Sequence, residues 1–295
     1  MRVLIITGGT SSERRISFLS ARAVKKGLEE AGYKVELFDF KKKRDLKNIV
    51  KKFDVIFPVL HGEEGEGGTL QKSLAKLKKP YVGGDPKGFK QGWYKIPFKK
   101  FCKNKNILTP PWKRVRNQDD IIRFGFPAVL KSSSGGSSRE VVILKSKQDL
   151  KSSLCRKLFK SGLPLFVEKY LPGVEVTVAI LNNEALPVIE IIPPPGGWFD
   201  YENKYSGETQ EIVGAPSLDN KTKRKVQQIA QIIHQTLNLG PYSRIDFIVS
   251  HNTPYVLEVN TIPGFTSQSL FPKAAQAAGI SFPNLLDKLI KSTKI

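Results

Sequence analysis

Short apolar runs alternate with helical stripes through the N-terminal part of the chain. Val3 to Thr7 is a β-rich run closed by Gly8-Gly9, and Ser17 to Ala31 has helical spacing with Gly32 as its stop. Val35 to Phe40 and Val55 to Leu60 read as further strands, and Leu70 to Leu77 as a second helix. Strand and helix in alternation predict a small doubly wound α/β unit, whose ligands gather at the carboxyl ends of its strands. Gly8 to Glu13 and His61 stand at such ends.

The pattern changes after Pro110-Pro111, a boundary region. Ala128 to Lys131 and Val141 to Leu144 are predicted strands flanking the small-residue loop Ser132 to Ser138, and Leu165 to Tyr170 is another strand. After Gly173, antiparallel strands are predicted at Val174 to Leu181 and Leu186 to Ile192, then a helix at Lys221 to Leu237. Strands at Ser243 to Val249 and Pro254 to Val259, a polar loop from Asn260 to Ser269 and a closing helix at Phe282 to Lys291 complete the chain. Pro193-Pro194-Pro195-Gly196-Gly197 reads as a mobile loop rather than a linker. The 295 residues suffice for two or three compact domains, and we divide them as 1–86, 87–171 and 172–295.

Composition narrows the classes. Apolar residues at 40% and charged residues at 25% give a globular balance. The apolar run at the N-terminus is too short for a secretory signal, and no later run has membrane-spanning length. Cys102 and Cys155 are the only cysteines, so neither a metal spacing nor a disulfide framework is present and a reducing cytoplasm is expected. The net charge of +21 is concentrated in residues 1–120, which hold 28 basic and 13 acidic residues. The lysines fall in runs without interleaved aromatics and no nucleic-acid-binding motif accompanies them, so we read the charge as surface decoration and expect no specific nucleic-acid partner.

Two constellations carry chemistry. No Walker-type sequence and no dinucleotide fingerprint is present, so a phosphate binder has to be built otherwise. The Ser132–Ser138 loop offers hydroxyls and uncrowded backbone N–H groups, with Lys131 just before it at a strand end. Serine-glycine hairpins are more often plain surface turns. The second constellation is stronger. Asp246 stands on one predicted strand and Glu258 and Asn260 on the next, where all three can face one way. Two carboxylates and an amide oxygen suit Mg²⁺ bridging the phosphates of ATP. The plainer alternative is a structural salt bridge between Glu258 and Arg244.

With these pieces in place, the chain resembles the D-alanine–D-alanine ligases of the ATP-grasp superfamily, from Val3 to about Leu289. The resemblance rests on Gly8-Gly9-Thr10-Ser11-Ser12-Glu13, Leu60-His61-Gly62, Gly135-Gly136-Ser137-Ser138, Val167-Glu168-Lys169-Tyr170-Leu171 with Gly173 and Glu175, and Tyr201-Glu202-Asn203-Lys204-Tyr205. Its best part is Arg244-Ile245-Asp246 followed by Glu258 to Leu270. Each motif alone is modest, but their order and spacing are specific.

The resemblance implies an ATP-grasp fold, with central and C-terminal α+β domains after the N-terminal α/β domain, and ATP held between those two. Lys95 and Lys131 would bind the α- and β-phosphates and Lys204 the γ-phosphate. Glu168, Lys169 and Leu171 would line the adenine pocket, and Glu175 would hold the ribose. Asp246, Glu258 and Asn260 would carry two Mg²⁺ ions, with Mn²⁺ an alternative. Glu13, with His61 nearby, would hold the ammonium of the first D-alanine. Arg244 and the Gly264 N–H would bind its carboxylate, and Ser269 and the Leu270 N–H the carboxylate of the second. Ser137, Tyr205 and Glu13 would form a lid-closing network.

The implied product is D-alanyl-D-alanine for peptidoglycan precursors, made by a cytoplasmic enzyme that the family's habit would make a homodimer. Two competing functions are a ligase for D-serine or D-lactate, and a basic scaffold on an inactive ATP-grasp fold. Lys204-Tyr205 argues against D-lactate, and the full ligand set with Arg244 argues against an inactive fold. The chain departs from the family at Arg139-Glu140, at Arg15, at Gln268 and in a short segment from Val115 to Gly125.

Overall fold

The computed structural model describes residues 1–41, 46–136, 140–194 and 208–293. Ser137, Lys204 and Tyr205, and the loop beginning at Pro195, lie outside them.

The N-terminal unit runs β1 (Arg2–Thr7), α1 (Arg14–Glu30), β2 (Lys34–Asp39), α2 (Leu46–Ile49), β3 (Val55–Pro58), α3 (Glu63–Glu66) and α4 (Thr69–Lys76). The three strands form a parallel sheet in the order β2-β1-β3, which places Gly8-Gly9 and His61 beyond the carboxyl ends of β1 and β3 on the same side. Residues Val3 to Ile6 are fully buried, as a central strand covered on both faces must be. On α1 the buried residues Ser17, Ser20, Ala21, Val24, Gly27 and Leu28 repeat at helical spacing and form its inner face.

Two helices follow that the hydrophobic pattern did not single out, α5 (Pro86–Trp93) and α6 (Lys95–Asn104). Asp85 caps α5 by accepting from the N–H groups of Lys87 and Gly88, with Pro86 at the first turn. A four-stranded antiparallel sheet comes next, built from β4 (Trp112–Val115), β5 (Ala128–Ser132), β6 (Val141–Leu144) and β7 (Leu165–Lys169), in the order β4-β7-β5-β6. Helices α7 (Gln118–Phe124) and α8 (Ser153–Lys160) cover it.

The last sheet has six strands: β8 (Val174–Leu181), β9 (Glu184–Ala185), β10 (Ile189–Ile192), β11 (Gln210–Val213), β12 (Tyr242–Ser250) and β13 (Thr253–Asn260). Their order is β11-β10-β8-β12-β13, with β9 beside β8. Of the strand predicted from Leu186 to Ile192 only Ile189–Ile192 forms; β9 ends just before it at Ala185, and Pro187, which has no N–H to give a ladder, stands between the two. Both tight hairpins place two residues in left-handed conformation, Asn182-Asn183 between β8 and β9 and His251-Asn252 between β12 and β13. Helix α9 (Asn220–Thr236) packs on this sheet. Helix α10 (Leu270–Ala277) directly follows the predicted polar loop, and α11 (Phe282–Lys291) packs back on α1.

One buried group makes the C-terminal unit sensitive to acid. On α9, His234 Nε2–H donates to the Gly240 carbonyl at 3.0 Å, which leaves Nδ1 to accept from Ser243 Oγ at 2.7 Å. Burial lowers the imidazole from 6.5 to about 4. Between those values the unfolded chain binds a proton that the folded one refuses, so stability is lost as pH falls. The loss should reach about 3 kcal/mol by pH 4. Urea unfolding at pH 7 and pH 4 should show it, and His234→Gln should remove this part of the pH dependence. An equal acid loss in wild type and variant would acquit His234.

Candidate active site

Two cavities meet between the antiparallel sheets. The first, of about 510 Å³, has Lys131 and Glu168 on one wall and Glu175, Asp246 and Glu258 on the other. Lys169 and Leu171 line it where β7 runs into β8. The second, of about 570 Å³, lies between the N-terminal unit and the six-stranded sheet. Glu13 and His61 enter it from one side, Arg244, Asn260, Gly264, Ser269 and Leu270 from the other, and Lys95 from α6. Glu258 lines both cavities and so marks their junction. Lys95 stands there too, its ammonium 3.2 Å from Glu258 Oε2 and donating to the Gly135 carbonyl at 3.0 Å.

Strand register explains the oxygen cluster. Asp246 pairs directly with Glu258 and Arg244 with Asn260 across the β12–β13 ladder, so all four side chains share one face. Arg244 does not pair with Glu258. It forks onto Asp246 through Nε at 2.9 Å and Nη2 at 2.8 Å, and Thr177 Oγ1 donates to the same carboxylate at 2.6 Å. Burial works against the Arg244 charge, but Asp246, Glu258 and Glu211 outweigh it and hold the proton more tightly than usual. Among the described residues no three His, Cys, Asp or Glu side chains gather as a metal group, because this set is two carboxylates and an amide. The Asn260 Oδ1 is buried with no hydrogen-bond partner among the described residues, an orphaned acceptor that a hard cation would satisfy.

Backbone shapes the rest. Glu13 immediately precedes α1, and its N–H donates to Ser11 Oγ at 3.2 Å. A Cβ on Gly136 would lie 2.8 Å from Glu13 Oε2, so the Ser132–Gly136 stretch comes up close against the Glu13 carboxylate. His61 is held by its N–H donating to Ser17 Oγ at 2.9 Å and by its ring against Ser20 Oγ at 3.3 Å. Burial and the Arg244 charge lower its proton affinity against the pull of Glu13, so the ring stays neutral. Ser269 Oγ accepts from the Thr266 N–H at 3.0 Å at the mouth of α10. Arg15 is exposed and does not line the cavity, whereas Gln268 does.

Sequence reading missed three residues in or behind these walls. Glu66 is buried with Oε2 accepting from the Gly62 N–H at 2.8 Å, and burial with the Glu13 charge raises its carboxyl well above the usual range. Glu211 reaches the second cavity and pairs with Lys273 of α10. Lys99 sits behind Glu168. Only Glu66 left a trace in sequence, as an acid five residues beyond His61 in a glycine-rich stretch.

A cavity clasped between two antiparallel sheets, with a second cavity joined to it through a lysine and a carboxylate, is the arrangement of an ATP-grasp ligase. Comparison with known proteins specifies which. The model of the D-ala D-ala ligase C-terminus matches residues 93–291 and that of its N-terminus residues 41–84. A D-alanine–D-alanine ligase of Maridesulfovibrio salexigens is 38% identical over an alignment of 298 positions that covers 99% of this chain and 98% of that protein. One of Clostridium botulinum (strain Loch Maree / Type A3) is 38% identical over 297 residues, with the same coverage. The crystal structure of the Bacillus anthracis D-alanine–D-alanine ligase complexed with ATP superimposes with a TM-score of 0.86 at 33% identity, covering 99% of this chain and 97% of that one. The chain belongs to the D-alanine–D-alanine ligase family.

Proposed function

We propose that this protein uses ATP to join two D-alanine molecules into D-alanyl-D-alanine for peptidoglycan precursors, and that the residues of the two cavities divide the work. The observation that carries this reading is Glu258, shared by the cavity between the two antiparallel sheets and the one beside the N-terminal unit. ATP lies in the first, with Lys95 and Lys131 on its α- and β-phosphates, Lys204 on the γ-phosphate, Glu168, Lys169 and Leu171 around adenine and Glu175 at the ribose. Asp246, Glu258 and Asn260 would hold two Mg²⁺ ions, or Mn²⁺, which supply neutralisation of the triphosphate charge; the orphaned Asn260 oxygen supports this.

In the second cavity Glu13 holds the first D-alanine's ammonium beside neutral His61. A carboxylate oxygen of that D-alanine attacks the γ-phosphorus, the bond to the β-phosphate oxygen breaks, and ADP leaves an acyl phosphate. Ser269 and the Leu270 N–H at the start of α10 hold the second carboxylate. The second amine, having lost a proton, attacks the acyl carbon, and Arg244 with the Gly264 N–H stabilises the oxyanion. Collapse expels inorganic phosphate and the remaining proton leaves the new amide nitrogen. Ser137 and Tyr205 with Glu13 close the lid, since water would otherwise hydrolyse the acyl phosphate. On this reading residues 1–86, 87–171 and 172–295 form three units of a cytoplasmic homodimer. No helix of the described residues is long and apolar enough to cross a membrane.

The reading is tested by ADP release with Mg²⁺ and D-alanine, L-alanine, D-serine or D-lactate, with the product identified. ADP release that depends on D-alanine alone and yields the dipeptide is expected; mixed products with D-serine or D-lactate would overturn the acceptor. A second expectation concerns Gly264, where a Cβ would stand 2.6 Å from Ser269 Oγ. Gly264→Ala should displace that hydroxyl and raise KM for the second D-alanine by about tenfold, the worth of about one hydrogen bond. An unchanged KM would remove Ser269 from the acceptor site.

A further inference from the structure

Lys99 is only 1% exposed on α6, yet nothing above uses its charge. Its ammonium donates to Glu168 Oε2 and, at 2.5 Å, to Thr109 Oγ1. Thr109 donates onward to the Val256 carbonyl of β13 at 2.9 Å. The other oxygen of Glu168, Oε1, is 2.6 Å from Lys131 Nζ. One hydrogen-bonded path therefore runs from the six-stranded sheet, through Lys99 and Glu168, to Lys131 in the four-stranded sheet. Glu168 and Lys131 line the nucleotide cavity and Lys99 does not.

Stability alone does not account for a charge at this place. Lys99 Nζ lies 6.0 Å from the centre of the Phe166 ring, and Phe98 and Phe101 of the same helix are also buried. An apolar side chain would avoid the desolvation that buried ion pairs seldom recover. Burial lowers the proton affinity of Lys99. It would raise Glu168 too, but Lys131 and Lys99 together hold that carboxylate ionised. Lys131, by contrast, needs an external guide: four rotatable bonds and a point charge do not by themselves fix an ammonium to within the tolerance of a phosphate contact.

We infer that Lys99 is a positioning residue for the nucleotide: it fixes the Glu168 carboxylate, Glu168 fixes Lys131, and the Thr109 link ties both to the sheet bearing Asp246 and Glu258. This rests on the reading of Lys131 as a phosphate ligand given above. A carboxylate gripped by one lysine can still turn about its last bond. Gripped at both oxygens it cannot, and Lys131 then points one way.

The test is Lys99→Met, which keeps the length of the side chain and removes its charge. ADP affinity with Mg²⁺ and no D-alanine, and KM for ATP against kcat, should both be measured. Lys99→Met should weaken ADP binding and raise KM for ATP by about tenfold, with a smaller effect on kcat. In a Lys131→Ala background the same change should add less than about twofold, because the effect acts through Lys131. Lys99→Arg should restore part of the affinity. A folded Lys99→Met protein with wild-type nucleotide affinity overturns the inference, as does a fully additive double variant. If Lys99→Met does not fold, Thr109→Val cuts only the far end of the path and should weaken ADP by about threefold, again only when Lys131 is present; unchanged affinity overturns the inference. Should Lys131→Ala itself leave nucleotide affinity unchanged, the reading of Lys131 falls and this inference with it. If Lys131→Ala weakens binding and Lys99→Met does not, the inference alone falls.

Discussion

Glu258→Gln should lower D-alanine-dependent ADP release by roughly 10²–10³-fold while the protein stays folded. The size follows from its place. Glu258 is the carboxylate shared by the two cavities, facing Asp246 across the ladder and standing 3.2 Å from the Lys95 ammonium. Glutamine keeps the shape and one acceptor oxygen. It removes the negative charge that, on the proposed reading, both a divalent cation and Lys95 would depend on where the phosphoryl group changes hands. The fold should tolerate the change, because the Glu258 side chain is 31% exposed, glutamine keeps its shape, and the Lys95 ammonium keeps its hydrogen bond to the Gly135 carbonyl. Three measurements bear on it: ADP release, far-UV circular dichroism, and the Mg²⁺ concentration for half-maximal rate, which should rise. A folded variant near wild-type turnover with an unshifted Mg²⁺ requirement would remove Glu258 from the metal set.

What the sequence discloses and what it hides divide along a physical line. The buried runs Val3 to Thr7, Val55 to Pro58 and Val174 to Leu181 announce themselves because β-branched and aliphatic residues in series have few other uses. Period-two spacing also suffices to put Glu258 and Asn260 on one face, and the register then sets Asp246 opposite Glu258. The helices at Pro86–Trp93 and Lys95–Asn104 are harder to see. They are short, rich in glycine, lysine and phenylalanine, and their form depends on Asp85 as a cap and on Gly88 lying against the Leu237 carbonyl, a contact from 149 residues away. The ion pairs are the least legible. Spacing allows Arg244 to meet either Glu258 or Asp246, and the choice of Asp246 is made by side-chain direction along one strand, with Thr177 of β8 completing the shell. Lys99, one lysine among a basic surplus, has no local sign that it is buried.

Arg244 is expected to be the most sensitive position, and two substitutions separate its two roles. The guanidinium is buried and commits Nε and Nη2 to Asp246, which on the proposed reading leaves Nη1 for substrate. Arg244→Ala leaves Asp246 buried with, among the described residues, only the Thr177 hydroxyl, and losing one member of such a pair costs about 3–5 kcal/mol of stability. Arg244→Lys retains the charge. A lysine ammonium cannot span both carboxylate oxygens and reach forward as well, because it is a point charge without the planar fork. The lysine variant should therefore lose only about 1–2 kcal/mol of stability, yet its rate of dipeptide formation should fall by roughly 10²–10³-fold, as when an oxyanion donor is removed. The partial reactions sharpen this. An oxyanion role acts after phosphoryl transfer, so in Arg244→Lys the release of ADP should exceed dipeptide formation, the difference appearing as D-alanine and free phosphate from hydrolysed acyl phosphate. Urea midpoints, ADP and dipeptide yields on the same sample decide the matter. A lysine variant with ADP and dipeptide still formed one for one, at near wild-type rate, would leave Arg244 only as the partner of Asp246.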